Sequence, residues 1–305
     1  MKLTIGILGT GWVGTSVAIS VLHAGFASEL LLADARAEVA EGEAMDLSHG
    51  AAFYPTATVR AVPVDELGSA DALVIAAGRG GKPGESRLEL LRDNVKLLRE
   101  VGAQLRAFRG LVVVVTNPVD VLTYVLAESS GLPPERVIGT GTMLDTARLR
   151  QAIGRELNVA PQSVHAHVVG EHGDSEVVLW SSAQVGGLPL RRWPGWHRDH
   201  EQPIAEEVRH AAYEIIKRKG ATNHAIGLVT AALLRASLRG ERRVQTVSRV
   251  QAGTLGIRDV ALSLPTVVDA GGAVDVVTPE LSDDERAGLE QSADVLRKAL
   301  RSLDD

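Results

Sequence analysis

Short apolar runs alternate with longer stretches of helical periodicity through the first half of the chain. Residues 3–8, 30–33, 72–76 and 111–115 read as buried strands. Residues 15–24, 37–48, 87–108 and 119–128 carry the 3.6-residue period of helices lying between those strands. Strands so uniformly rich in Val, Ile and Leu are covered on both faces. In a parallel sheet the crossover helices supply that cover, so the pattern predicts an α/β fold built on a doubly wound parallel sheet.

The rhythm changes after about residue 143. A helix over 144–157 is followed by strand-like pieces at 164–169, 176–180 and 183–190. Two long helices, 205–219 and 224–238, precede turn-rich strands over 244–277 and a closing helix over 283–303. Two domains are therefore expected: a Rossmann-type domain over 1–143 and a mixed α+β substrate and catalytic domain over 144–305. The loop Trp193-Pro194-Gly195-Trp196, flanked by Arg191, Arg192, His197 and Arg198, reads as loop packing or a subunit contact and is assigned no chemistry.

Composition narrows the chemistry. With 305 residues, 45% hydrophobic and 23% charged, the chain is an ordinary globular protein. A formal net charge of -6 offers no electrostatic reason to bind nucleic acid or an anionic membrane, so an anionic substrate must be attracted locally. The absence of cysteine excludes disulfides, thiolate catalysis and iron-sulfur clusters, and no metal site is expected; redox chemistry here needs an organic cofactor. Glycines interrupt the apolar start and no 18-residue apolar run exists, which favours a cytoplasmic protein over a secreted or membrane-anchored one.

Gly9-Thr10-Gly11-Trp12-Val13-Gly14 follows a predicted strand and opens a predicted helix. In that context the glycines permit a tight turn and close approach of the backbone to a pyrophosphate, whose charge meets the helix N-terminus. Asp34, ending the next strand, is placed to accept hydrogen bonds from an adenosine ribose and to repel a 2′-phosphate. NAD is therefore the expected cofactor, with Arg36 close enough to leave some use of NADP.

Three further segments carry reactive groups: Thr116-Asn117-Pro118, Leu144-Asp145-Thr146-Ala147-Arg148 and Gly170-Glu171-His172-Gly173-Asp174-Ser175. Asp145 and Arg148, three apart on a helix, share a face, whereas Arg150 is turned about 200° from Arg148. A carboxylate bonded to an imidazole fixes its tautomer and favours its protonated form, giving a proton donor for carbonyl reduction and a base for the reverse reaction. Arginine grips a carboxylate through two parallel hydrogen bonds, which lysine cannot reproduce. Gly80-Gly81-Lys82-Pro83-Gly84-Glu85-Ser86-Arg87, a glycine-rich connection after a strand, suggests a mobile lid.

These motifs, together with Lys219-Gly220-Ala221-Thr222, make the chain similar to the L-lactate/malate dehydrogenase family over nearly its whole length, and more like the lactate branch. The resemblance implies that His172 is the acid/base, Asp145 its partner, Arg148 the substrate-carboxylate clamp and Arg87 a lid residue that polarises the carbonyl. It implies that Asn117 contacts substrate and nicotinamide and is joined to Pro118 by a cis bond. Thr222 then lines the pocket wall and Ile226 packs on the nicotinamide. Gly81 falls at the lid position where lactate enzymes carry glutamine and malate enzymes arginine. Malate thus loses its expected partner unless Arg79 or Lys82 substitutes, so pyruvate and lactate rank first, malate second, with longer 2-oxo acids also fitting beside a glycine. Arg150 and His165 match an effector site for fructose 1,6-bisphosphate between subunits, and the family implies a homo-oligomer, specifically a tetramer. Two rival classes share the topology. An NAD-dependent glycosidase requires a metal, and a non-catalytic NAD sensor has no need of His172, Asp145, Arg148 and Arg87 together.

Overall fold

The computed structural model describes residues 2–80 and 87–303, with Arg87 represented by its backbone alone. Six parallel strands form the first half of a large sheet: β1 (Thr4–Leu8), β2 (Glu29–Ala33), β3 (Thr58–Ala61), β4 (Ala72–Ile75), β5 (Leu111–Val114) and β6 (Val137–Gly139). Their spatial order is 3-2-1-4-5-6, so the winding reverses between β1 and β4. The crevice beyond the carboxyl ends of the strands at such a reversal is where open α/β sheets bind ligands. β3 and β6 escape the apolar-run reading, being short and, in β3, polar on alternate residues.

The helices between them are α1 (Trp12–Ala24), α2 (Ala37–His49), α3 (Arg87–Gln104) and α4 (Val119–Ser130). The second half brings α5 (Met143–Leu157) and then five two-residue strands: β7 (Val164–His165), β8 (Val168–Val169), β9 (Val177–Val178), β10 (Gln184–Val185) and β11 (Leu188–Pro189). After these come α6 (Glu201–Lys219), α7 (His224–Leu238), β12 (Arg243–Ala252), β13 (Arg258–Asp269), β14 (Gly272–Val276) and α8 (Asp283–Arg301).

β12, β13 and β14 do not build a sheet of their own. They extend the parallel sheet antiparallel to β6, through the pair Ser248 and Gly139, to nine strands. One core lies between this sheet and α3, α4 and α8; a second lies on the opposite face under α1, α2 and α7. Val112, Val113 and Val114 of β5 are fully buried because both faces are covered. A third core joins α5 and α6 to the short strands, and Trp196 of the aromatic loop is buried in it, 6.1 Å from Trp180 between ring centroids. That loop packs inward. Among the described residues no helix is long and apolar enough to cross a membrane.

Candidate active site

The glycine loop joins β1 to α1. Gly9 has φ +95, and a Cβ there would meet the backbone of Ala77 at the end of β4. A Cβ at Gly14 would overlap the carbonyl oxygen of Gly9, whereas one at Gly11 meets nothing within 4 Å. Gly9 and Gly14 thus serve the turn itself, and Gly11 leaves open space beside the first turn of α1, which carries no acidic residue. Such a cradle suits a pyrophosphate.

Asp34, just past β2, is already engaged: Oδ2 accepts from Thr10 N at 2.8 Å and Oδ1 from Arg36 N at 3.1 Å. Burial alone raises its carboxyl, but these backbone donors outweigh it and hold the group below its ordinary value. The carboxylate is therefore charged at neutral pH, as ribose recognition and rejection of a 2′-phosphate both require. The exposed Arg36 guanidinium stands 4.0 Å away.

On the first turns of α5, Asp145 is 2% exposed and both of its oxygens are taken. Oδ2 lies 2.6 Å from Nδ1 of His172, and Oδ1 accepts from Nη1 of Arg148 at 2.7 Å. The spacing of three puts aspartate and arginine on one face, as the periodicity predicts. The remaining Arg148 nitrogens, like Nε2 of His172, have no partner among the described residues. Burial pulls the imidazole down, but the adjacent Asp145 charge and hydrogen bond, followed by Asp120 and Glu176, push it up to about 9. Asp145 is held below its ordinary value, against its burial, by His172 and then by Arg148. The site thus presents a protonated ring nitrogen and an arginine edge at one opening.

The loop carrying His172 is pinned through its peptide groups. Gly170, at φ +88, bridges to Ser263 of β13 (N to O 2.8 Å); Glu171 N donates to Ser292 Oγ of α8 at 2.7 Å; His172 N donates to Asp120 Oδ2 of α4 at 2.7 Å. Three consecutive N–H groups are satisfied by three distant elements.

Asn117 follows β5 in a cis linkage to Pro118. Its carbonyl accepts from Asn94 Nδ2 at 3.2 Å and its Oδ1 from Val119 N at 3.3 Å, leaving its amide nitrogen without a partner among the described residues. Thr222 lies in the turn between α6 and α7, which docks on α1 through the hydrogen bond from Asn223 Nδ2 to Ser16 Oγ at 3.0 Å. Ile226, on α7, packs against the second core. Arg150 donates Nε to the Ala166 carbonyl at 3.0 Å, well away from the Asp145 face, and His165 is exposed. His167 is pushed down to about 4 by burial first and then by the Arg150 and His165 charges. Gly81, Lys82 and the rest of the lid through Ser86, with the side chain of Arg87, lie outside the described residues.

Three groups escaped the sequence reading. Asp120 and Glu176 are both buried; Asp120 is a single acid set in an apolar run, which is the signal that marks it, whereas Glu176 directly follows Asp174-Ser175 and carries no such signal. Burial, followed by the Asp145 charge, pushes Glu176 up to about 8, so it is largely neutral beside the His172–Asp145 pair at pH 7. Asn94, buried on α3, ties Asn117 to the backbone of Arg79. Arg79 itself is paired with Asp93, at 2.8 Å from Nε to Oδ2.

A dinucleotide-binding Rossmann half joined to a second half that carries a paired imidazole and a fixed guanidinium suits an oxidoreductase of 2-oxo and 2-hydroxy acids. Residues 3–139 match the lactate/malate dehydrogenase NAD-binding domain and residues 142–304 the family's α/β C-terminal domain, so the chain belongs to the lactate/malate dehydrogenase family and is NAD-dependent. It is 47% identical to an L-lactate dehydrogenase of Salinibacter ruber, over 99% of this chain and 98% of the relative. It is 43% identical to one from Bacillus caldolyticus, over 96% and 95%. The crystal structure of a minor L-lactate dehydrogenase from Enterococcus mundtii, in a ligand-bound form, superposes with a TM-score of 0.96 at 39% identity, covering 99% of this chain and 98% of that one.

Proposed function

We propose that the protein is an L-lactate dehydrogenase, interconverting pyruvate and L-lactate with NADH and NAD. The observation that carries this reading is the Asp145 carboxylate shared between His172 at 2.6 Å and Arg148 at 2.7 Å. When bound along Gly9, Gly11, Gly14 and Asp34, the dinucleotide supplies the reducing equivalent as a hydride. The free edge of Arg148 holds the substrate carboxylate, Asn117 orients the reacting carbonyl, and Nε2 of His172 delivers the proton to its oxygen. Thr222 borders the substrate side chain, Ile226 packs against the nicotinamide, and Arg87 closes from the lid to polarise the carbonyl.

Pyruvate is preferred over oxaloacetate because a second substrate carboxylate lacks a counter-charge. Gly81 offers none, and the pairing of Arg79 with Asp93 argues against that arginine as a substitute. Following NADH loss with pyruvate, oxaloacetate and branched 2-oxo acids tests the assignment; higher kcat/KM on oxaloacetate reverses it. Turnover of diffusible NADH needs a compartment that regenerates it, so the enzyme works in the cytoplasm.

The enzyme acts as a homo-oligomer, a tetramer in its complete form. Trp12 and Ile19 of α1, Phe53 just after α2, and Leu228 of α7 are exposed and border two grooves that share Ile19, and Met45 of α2 is exposed as well. A second copy of the chain buries this apolar face. Arg150 and His165 then bind fructose 1,6-bisphosphate between subunits and favour the active assembly. Activity at limiting pyruvate, with and without the sugar bisphosphate, checks this regulation.

A further inference from the structure

Asp120 is the least expected group near the site. It sits in the first turn of α4, three residues beyond Asn117, and is 2% exposed. Its Oδ2 accepts the peptide N–H of His172 at 2.7 Å, while Oδ1 is buried without a partner among the described residues. Ser248 Oγ of β12 is likewise unpartnered, close enough to favour the charged carboxylate without a well-formed bond. A carboxylate left half-satisfied in an apolar wall costs stability. Its position beside the acid/base loop points to what that cost supports.

We propose that Asp120 is a positioning residue of the reaction: fixed to α4, its carboxylate holds the backbone of His172 and keeps a negative charge behind the imidazole that must carry the proton. Because α4 also begins at the Asn117 turn, one helix end sets both the acid/base loop and the amide that orients the substrate. The inference rests on the acid/base role proposed for His172.

The electrostatic surroundings agree with this placement. Facing Asp120 are Ser248 from β12 and Glu171 and His172 from the catalytic loop. Facing the imidazole are Asp145 from α5, Asp120 from α4 and Glu176 from the loop, with Arg148 on the far side of Asp145 and Arg209 of α6 beside Glu176. Burial raises Asp120 to about 6, so it is charged from pH 7 upward, whereas Glu176, raised to about 8, is largely protonated only at pH 7 and below. At pH 7 Asp120 and Asp145 are therefore the charged carboxylates behind the ring, and Glu176 joins them as the pH rises through about 8.

Asp120→Asn keeps an oxygen that accepts the His172 N–H and removes the charge; its amide also has Ser248 Oγ to donate to. Expected are a fall of about one unit in the midpoint at which the His172 ring titrates, followed by nitrogen NMR of the imidazole, and the same fall in the pH profile of kcat/KM for pyruvate. KM for NADH stays unchanged. The variant also melts higher than the parent at pH 8, with a smaller gain at pH 5, because the native state no longer carries a buried charge whose folded value lies above its unfolded one. Asp120→Ala, which loses the anchor as well, lowers kcat at least tenfold further. An unchanged ring midpoint in Asp120→Asn overturns the proposal. Failure of the parent enzyme to reduce pyruvate overturns the substrate assignment instead, and the ring titration still decides the role of Asp120.

Discussion

The buried carboxylate of Asp145 lies 2.6 Å from Nδ1 of His172 and is itself only 3% exposed, whereas a quarter of the histidine side chain remains open. The pair is therefore anchored at its acidic end and accessible at its basic end. A proton on Nε2 is held by charge that solvent cannot screen well, yet it stays on the open end of the pair, as the proposed transfer to a substrate oxygen requires.

Such a ring titrates late. With His172 raised to about 9, pyruvate reduction needs the protonated form, so its kcat/KM holds below pH 9 and falls above it. Lactate oxidation needs the neutral ring and rises through the same range. Asp145→Asn lowers both midpoints by at least about one unit, and His172→Asn costs roughly 10²–10⁴-fold in turnover while leaving NADH binding intact. Initial rates in both directions from pH 5 to 10, with fluorescence titration of NADH, check these outcomes.

One nitrogen of Arg148 already serves Asp145 at 2.7 Å, so the proposed grip on the substrate carboxylate falls to its other nitrogens. Arg148→Lys keeps the charge and loses the parallel pair of donors. KM for pyruvate rises roughly 10–100-fold, the worth of one charge-assisted hydrogen bond, while the pH midpoint of kcat moves little. Steady-state kinetics across pH separates the two effects.

Cofactor choice rests on Asp34, held charged by Thr10 and Arg36 peptide groups. A 2′-phosphate brings like charge against it. NADPH is therefore used on the order of 10²-fold less efficiently than NADH, and Asp34→Ser narrows the gap by at least about tenfold, with Arg36 available to the phosphate. The ratio of kcat/KM for the two cofactors is the measurement.

Phe53 is 85% exposed and borders the groove that Ile19 also lines. On an isolated chain, replacing an exposed phenylalanine with aspartate changes stability little. If a second copy covers this face, Phe53→Asp produces a smaller species by light scattering and a melting temperature that falls on dilution.

The alternation of Val-rich strands with helical periods was enough to determine the doubly wound sheet, because a strand buried on both faces leaves no polar positions to confuse the pattern. The glycine loop with Asp34, and the spacing of Asp145 and Arg148, were legible for a similar reason: both are local, set by one turn and by 3.6 residues per helical turn. The continuation of that sheet through β12, β13 and β14 was not, since pairing Ser248 with Gly139 links positions far apart in the chain and register there is a matter of packing. The short pieces β7 to β11 likewise lack the length for periodicity to define them.

Sequence placed His172 and Asp145 in separate motifs, and resemblance paired them; the fold brings them to 2.6 Å by pinning Gly170, Glu171 and His172 to β13, α8 and α4. Asp120 appears in the sequence only as an isolated acid between valines, and Glu176 only as the last polar residue before a run of valines. Their charge states depend on burial and on each other's neighbours, quantities that exist only once the apolar wall has closed around them. Residue identities and local spacing determined which groups are present, and the tertiary structure decided which share a cavity and therefore which keep a proton.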